Sequence, residues 1–408
     1  MSENFDVVIV GGGMVGAAVA CCLGGSDLRV AVIEQQLPEA FDPSQPHDLR
    51  VSALSIASKQ IMEMVGAWEG VYTRRCCPFK RMRVWETIGN TEFNSDAIDY
   101  PELGFIVENR VTQLAFLDRL LAFENITLFC PATIKNLNYT PENPEHSAEI
   151  ELQDGKILLT KLLVAADGGQ SRIRQLCGIG VNSRDYQQQA LVLYVETDYP
   201  QQNITWQRFV PSGPQAFLPL TGNYASLVWY NSSDEIRRLK ALPDKELLYE
   251  LSKTFPDNLG QINAILGKVS FPLRCQHAQN YVKKGVALVG DAAHMINPLA
   301  GQGVNIGLLD AAALAEVVLN AYQQGKSFAD PAVLKGYEKM RRHENLAMLT
   351  LMDVFYHVFS NEILPVKVLR NFGLGLAERV LPAKNKLMRM AMGLDGRLPK
   401  LARGETIL

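Results

Sequence analysis

The sequence is short of most features that mark an exported, metal-bound or membrane-spanning chain. Its seven cysteines include the adjacent pairs Cys21-Cys22 and Cys76-Cys77 and no Cys-x-x-Cys. An odd set without ligand spacing reads as free thiols in a reducing compartment, not as a disulfide framework or a zinc site. No uninterrupted apolar run reaches the roughly 18 residues of a transmembrane helix. Met1–Asn4 lacks the basic and apolar regions of a signal peptide, so a cytoplasmic protein is expected. The interleaved basic and aromatic pattern of a nucleic-acid module is missing too, and no nucleic-acid partner is expected.

What is present is an ordinary globular composition. The chain has 408 residues, 47% hydrophobic and 20% charged, enough for two intimately joined domains. Its net charge of −3 is unevenly spread. Residues 341–408 hold 11 Lys and Arg against 6 Asp and Glu, which puts +5 there and −8 on the rest. A basic tail on an acidic body suits an anionic lipid surface or an acidic partner.

The first informative stretch is at the N-terminus. Phe5–Val10 reads as a buried strand, followed at once by Gly11-Gly12-Gly13-Met14-Val15-Gly16 and an alanine-rich helix to Leu23. Val30–Ile33 reads as a second strand ending in Glu34. This is a dinucleotide fingerprint with both flanks: Gly11 for the tight turn, Gly13 to admit a pyrophosphate, Gly16 for helix–strand packing. Glu34, 21 residues past Gly13, stands where an acid takes a ribose hydroxyl. No second full Gly-x-Gly-x-x-Gly follows.

A second corner lies roughly 280 residues downstream, at Val286–Asp310. The strand Val286–Val289 ends in Gly290-Asp291, Pro298 stiffens a loop into Gly301-Gln302-Gly303, and Val304–Tyr322 is helical. A carboxylate for a hydroxyl-bearing chain, then a positive helix end for an electron-rich ring, suits a flavin. A third corner follows the strand Leu162–Ala166, as Asp167-Gly168-Gly169 and a short helix with Arg174. One site begun and finished by distant segments fits a held FAD better than an exchanging nicotinamide.

Between the corners, Arg50 sits at a loop–helix junction, open to a phosphate or a surface ion pair. Arg110 and Gln113 begin a helix over Asn109–Leu121, with Leu114, Leu117 and Leu121 on its core face, and can reach a cofactor. Strands are expected at Ile126–Phe129, Thr133–Tyr139, Ala148–Leu152, Lys156–Thr160 and Leu162–Ala166. Alternating strands over 186–230 suggest an antiparallel sheet roofing the cofactor, with Asp234–Phe255 helical and Ala264–Arg274 returning to the nucleotide domain. Phe217, Leu218, Pro219 and Trp229 in the most apolar strands are candidates for a substrate pocket, or equally for core. His294 can serve a substrate proton, although its place after an Asp-Ala-Ala turn favours a structural hydrogen bond. Residues 341–408 read as helices divided by Pro365 and Pro382, packing on the body or docking on a membrane.

Together the three corners resemble the single-component FAD-dependent aromatic hydroxylases, over residues 5 to about 340. The resemblance implies an α/β fold, with a Rossmann-like FAD-binding domain interleaved with a mixed or antiparallel-sheet substrate domain. The expected division is 1–75, 102–180 and 275–340 for FAD, 76–101 and 181–274 for substrate, and a C-terminal helical segment 341–408. In that family Gly11, Gly13, Gly16 and Glu34 match the ADP-binding motif. Asp167, Gly168 and Arg174 match an Asp-Gly motif serving FAD and nicotinamide, and Gly290 and Asp291 match the ribitol motif. The run His294–Asp310, with Pro298, Gly301, Gln302, Gly303 and Asn305, and the stretch Asp48–Ser55 are similar to the ubiquinone-biosynthesis branch.

That branch implies hydroxylation of a polyprenylated quinol, with demethoxyubiquinol the narrower expectation. FAD would be bound, NAD(P)H a transient co-substrate, and O2 activated as a flavin C4a-hydroperoxide. Such cofactor-borne chemistry needs no nucleophile–base pair. Contacts with other ubiquinone-biosynthesis proteins, a homo-oligomer and a peripheral place at the inner membrane accompany the same expectation. The rival readings are a same-fold hydroxylase of a soluble phenol, a reductase of isoprenoid double bonds, and a non-catalytic flavoprotein scaffold.

Overall fold

A computed structural model describes residues 2–86, 89–255, 260–296, 303–359 and 381–407. The chain opens with β1 (Ser2–Val10), α1 (Met14–Leu23), β2 (Val30–Ile33), β3 (Val51–Ser55), α2 (Ile56–Val65) and α3 (Trp68–Tyr72). Next come β4 (Cys77–Phe79), β5 (Arg81–Trp85), β6 (Asn90–Asn94), β7 (Gly104–Glu108) and α4 (Asn109–Leu120). The middle holds β8 (Ile126–Phe129), β9 (Ile134–Tyr139), β10 (Ala148–Leu152), β11 (Ile157–Ala165) and α5 (Arg172–Leu176). It continues through β12 (Val181–Thr197), β13 (Ile204–Arg208), β14 (Gln215–Pro219), β15 (Tyr224–Ser232), α6 (Ser233–Ala241), α7 (Asp244–Thr254) and β16 (Ile262–Ala278). The last elements are β17 (Val282–Lys283), β18 (Val286–Leu288), β19 (His294–Met295), α8 (Gly303–Gln323), α9 (Pro331–Phe359) and α10 (Leu381–Ala391).

Three sheets organise these elements. The first has the order β17-β18-β11-β1-β2-β8, with β10 and β9 branching from β11. Five of its strands, β18, β11, β1, β2 and β8, are mutually parallel. Such strands read as unbroken apolar runs because both faces are covered; Val7, Val8 and Ile9 of β1 are fully buried. The second sheet, β19-β16-β12-β15-β14-β13-β5-β6, is antiparallel except at β5 and β13. A small sheet β3-β7-β4 completes the set.

Several expectations are corrected by this architecture. Lys156–Thr160 and Leu162–Ala166 are one strand, β11, in which Lys161 simply points to solvent. Asp234–Phe255 is two helices, because Pro243 cannot continue the first and caps the second. Ala264–Arg274 belongs to the second sheet, where β16 pairs with β12 along its length. β16 therefore runs across the expected 274/275 boundary, while β4, inside the expected substrate segment, pairs with β7. In α4 Leu117 is buried as expected, but Leu114 is only half-buried and Leu121, past the helix end at Leu120, is 65% exposed; Val111, Ala115, Phe116 and Leu120 complete the covered stripe. α8 is long and apolar enough to span a membrane, yet 83% of its apolar window is buried inside the protein. Its apolar character is that of a core helix.

The first turn is held by contact too close for any side chain. Gly11 has φ +102° and an added Cβ would stand 2.4 Å from the Ala166 carbonyl oxygen. At Gly16 an added Cβ would stand 1.8 Å from the Gly11 carbonyl oxygen, so α1 can approach its own turn only with glycine there. Gly16→Ala should cost roughly 1–3 kcal/mol as an overpacked site. Thermal melting measures this, and a melting temperature equal to the parent's would contradict the account.

Candidate active site

The parallel register sets the corners side by side. Val10 is opposite Ala165, Ala165 opposite Leu288, and Val10 opposite Ile33. The turns after β1, β11, β18 and β2 therefore leave the sheet along one edge. Backbone bonds from Gly11 N to Ile33 O (2.9 Å), Ala166 N to Val10 O (2.8 Å) and Val289 N to Ala165 O (3.0 Å) lock them in line. A ligand crevice outside the carboxyl ends of parallel strands is the usual place in such sheets.

The first corner is shaped for an anion. Gly13 caps α1, and an added Cβ there would meet nothing within 4 Å, so this glycine borders open space where the others border protein. The helix N-terminus behind it carries unpaired N–H groups. Glu34 is tied to the glycine loop: its carboxylate accepts from Gly12 N (2.5 Å), Gln35 N (2.8 Å) and Gln36 N (3.2 Å). A carboxylate has about four acceptor positions, which leaves capacity for one further donor. Gln113 donates to Gly12 O at 2.9 Å and holds the loop from the other side.

The other two corners present carboxylates with spare capacity. Asp167 Oδ2 accepts from Ile173 N at 3.1 Å, while its Oδ1 is buried without a hydrogen-bond partner. Gly168, φ +81°, again faces open space. Asp291 lines a cavity with its side chain exposed to it, and no described residue hydrogen-bonds it. The surrounding protein raises its carboxyl above the usual carboxylate range, with His294 and Arg50 acting in the opposite direction.

That cavity has a volume of about 910 Å³. One side is made by Gly13, Ala166, Gly168, Asp291, Gly303 and Val304, so all three corners reach it. The opposite side is one face of the second sheet, with Val192, Ala216, Leu218, Ser226 and Val228. Arg50 also lines it, exposed and without an ion pair among the described residues.

Several expected site residues are committed elsewhere. Arg174 is 3% exposed and donates to Ala292 O (2.8 Å) and Gly169 O (2.9 Å), bracing two corners against each other. Arg110 pairs with Asp48 at 2.9 Å and with the loop before it. Asn305 clamps α8 to β3 and α2, accepting from Ser55 N and Ser58 Oγ and donating to Ala53 O. Phe217 and Trp229 need correction as pocket residues. Side chains alternate along a strand, and these two pack on the outer face with Ile236 and Leu239 of α6 and Leu247 of α7. Pro219 shares the parity of Phe217 and does not line the cavity, whereas Leu218 does. Pro298, Gly301 and Gln302 lie outside the described residues.

His294 is 1% exposed and lies off the cavity wall, hydrogen-bonded through Nε2 to Asp310 Oδ2 at 2.5 Å. Asp310, fully buried, also accepts from Gly290 N, Arg341 Nε and Asn345 Nδ2. Burial works to raise its carboxyl, but the His294 and Arg341 partners outweigh this and hold it below the ordinary value. Through Gly290, this network fixes the corner that presents Asp291.

The sequence reading passed over the methionines. Eight of the chain's twelve line the cavity, among them Met348 and Met352 of α9 and Met388 and Met390 of α10. The spacing of four between Met348 and Met352, and between Met388 and Met392, carried that signal. α10 is thus committed to the cavity wall, with Met388 and Met392 buried. Val366, Leu369, Phe372, Leu376 and Val380, with Lys367, Arg370 and Arg379, lie outside the described residues.

Comparison with known proteins agrees with this arrangement. The family described as "FAD binding domain" matches residues 4–351. The chain is 41% identical to the 3-demethoxyubiquinol 3-hydroxylase of Escherichia coli (strain K12), covering 96% of this chain and 100% of that one. It is 38% identical to the ubiquinone hydroxylase UbiL of Rhodospirillum rubrum, covering 98% and 92%. In fold it is similar to p-nitrophenol 4-monooxygenase PnpA of Pseudomonas putida DLL-E4, with a TM-score of 0.77 over 97% and 99% of the two chains at 18% identity.

The buried network gives a direct prediction. Asp310→Asn leaves Arg341 without its charge partner and should cost roughly 3–5 kcal/mol. A carboxylate held low when folded stabilises above its unfolded pKa of about 4 and loses that contribution as pH falls through the lower folded value. Denaturant titrations across that range should show less acid destabilisation in the variant than in the parent. A variant as stable as the parent at neutral pH would contradict the network's role.

Proposed function

This chain belongs to the FAD binding domain family and is an FAD-dependent monooxygenase, and from that premise we propose that it hydroxylates the ring of a polyprenylated quinol in ubiquinone biosynthesis. Demethoxyubiquinol is the substrate proposed. The observation that carries the reading is the meeting, in one cavity, of three glycine–acid corners with the apolar face of a second sheet. The identities to a demethoxyubiquinol hydroxylase and a ubiquinone hydroxylase support the substrate class.

The residues present fit FAD. The open face of Gly13, the orphaned Oδ1 of Asp167 and the unpaired Asp291 supply what its phosphates and hydroxyls need. The ADP end falls to Gly11, Gly13, Gly16 and Glu34, the linker region to Asp167, Gly168 and Arg50, and the ribityl chain to Asp291. FAD, when bound, supplies the redox chemistry by which NAD(P)H and O2 place one oxygen atom on a ring carbon and release the other as water. The protein's part is position and dryness. The N-terminal ends of α1 and α8, at Gly13 and Gly303 on the cavity wall, would favour the negative charge of a bound cofactor, each such interaction worth roughly 0.3–2 kcal/mol. The apolar wall excludes bulk water from the reacting ring, and methionine side chains, long and unbranched, adapt to a flexible apolar tail.

The finer partner reading is contact with a bilayer, where a polyprenylated molecule resides. It is supported by the +5 charge of residues 341–408. Cosedimentation with anionic vesicles, weakening as salt rises, is expected, and no binding at low salt would contradict it.

For the activity itself, Gly13→Glu places a carboxylate where a phosphate should lie, in space that does not disturb the fold. It should purify folded but largely free of FAD, and Asp291→Ala should bind FAD at least roughly tenfold more weakly, the loss of one or two charge-assisted bonds. FAD content and quinol-dependent NAD(P)H oxidation report both, and full retention in both variants would remove the assignment.

A further inference from the structure

The cavity-facing side of the second sheet is not uniformly apolar. Thr205 and Gln207 on β13 and Ser226 on β15 all line the cavity, at 5%, 7% and 2% exposure. None of the three side chains hydrogen-bonds another described residue, and the Ser226 hydroxyl is buried outright without a partner. Buried polar groups are normally satisfied, because leaving one unpaired forfeits its hydration with no return. One buried orphan, Ser226, with Thr205 and Gln207 lining the same cavity, indicates a ligand that pairs them.

Their placement defines that ligand's shape. Gln207 is opposite Ala216, and Ala216 opposite Val228. One rung along, Leu218 is opposite Ser226, and by the same register Thr205 is opposite Leu218. With strands about 4.8 Å apart, Thr205 and Ser226 stand roughly 10 Å apart on either side of a floor made by Ala216 and Leu218. Ala216 leaves a hollow in that floor. A flat apolar ring fits over it, and polar groups at opposite ring edges meet Ser226 on one side and Thr205 and Gln207 on the other. All three residues can donate a hydrogen bond and accept one, so hydroxyl and ether oxygens are both served and no charge is required.

We propose that Thr205, Gln207 and Ser226 form the wall that recognises the oxygen substituents of the quinol ring, and so select which ring enters and how it is turned. This rests on the quinol hydroxylase reading above. A site built on hydrogen bonds discriminates strongly against a ring that lacks the matching groups, because its own polar atoms are then left unpaired.

The test uses the FAD-loaded protein and two probes of equal side-chain length: a short-chain quinol bearing hydroxyl and methoxy groups, and an alkylbenzene with no ring oxygen. Binding is followed by the change in flavin absorbance in the parent and in Thr205→Val, Gln207→Leu and Ser226→Ala. Each variant should bind the quinol roughly 3- to 10-fold more weakly, the loss expected for one neutral hydrogen bond, with alkylbenzene binding unchanged. Because Thr205→Val and Ser226→Ala remove polar groups that have no partner in the protein, their melting temperatures without ligand should hold or rise. Unchanged quinol affinity, equal losses for both probes, or a marked fall in melting temperature would overturn the proposal. A parent protein that holds FAD but binds neither ring would instead sink the quinol reading itself.

Discussion

Everything in this protein depends on parallel strands ending in register. β1, β11 and β18 are neighbours, and Val10, Ala165 and Leu288 sit across from one another. Each strand ends in a turn that bares backbone N–H groups, with carboxylates from Asp167, Asp291 and, at the end of neighbouring β2, Glu34. Adjacent strands are about 4.8 Å apart, so three turns from residues 11, 167 and 290 crowd into a span of roughly 10 Å. No long-range attraction between the corners is needed, because sheet hydrogen bonding fixes their distance before any ligand arrives. The tightest packing supports the same edge, with Gly16 against Gly11 and Gly307 against Val15.

The second sheet completes the site by period two. Ala216, Leu218, Ser226, Val228 and Tyr230 of β14 and β15 meet the cavity, and the alternate Phe217, Leu227 and Trp229 pack with α6 and α7. One sheet thus separates a packed core, with Trp229 edge-on to Phe255, from a ligand chamber. The buried Asp310 cluster works behind the opposite wall. It joins α8 and α9 to the Gly290 turn through Arg341 and Asn345, so a charge network far from solvent holds the presenting loop still without entering the cavity.

The three corners were legible because a glycine turn between an apolar strand and a helix is a local pattern with a local cause. The same locality located β1, β2, β8 and the strands within 186–230. Facing was less legible. Phe217 and Trp229 lie in the most apolar stretches of their strands, and hydrophobicity alone cannot say whether a strand face meets a core or a ligand; the register with neighbouring strands decides it. Arg174, Arg110 and Asn305 illustrate a second limit, since a polar side chain near a motif is as useful for tying loops together as for touching a cofactor. The α10 methionines were missed because the helix that carries them follows its partners in the cavity by hundreds of residues or, for Met348 and Met352, by an intervening segment.

The central claim is that one FAD spans all three corners and borders the chamber roofed by the second sheet. A crystal structure of the FAD-loaded protein tests it most directly. The account predicts one FAD per chain, with its diphosphate at the Gly13 end of α1, its adenosine ribose at Glu34 and its ribityl chain at Asp291. Density for the cofactor at any other surface, or contact with only one of the three corners, would contradict it.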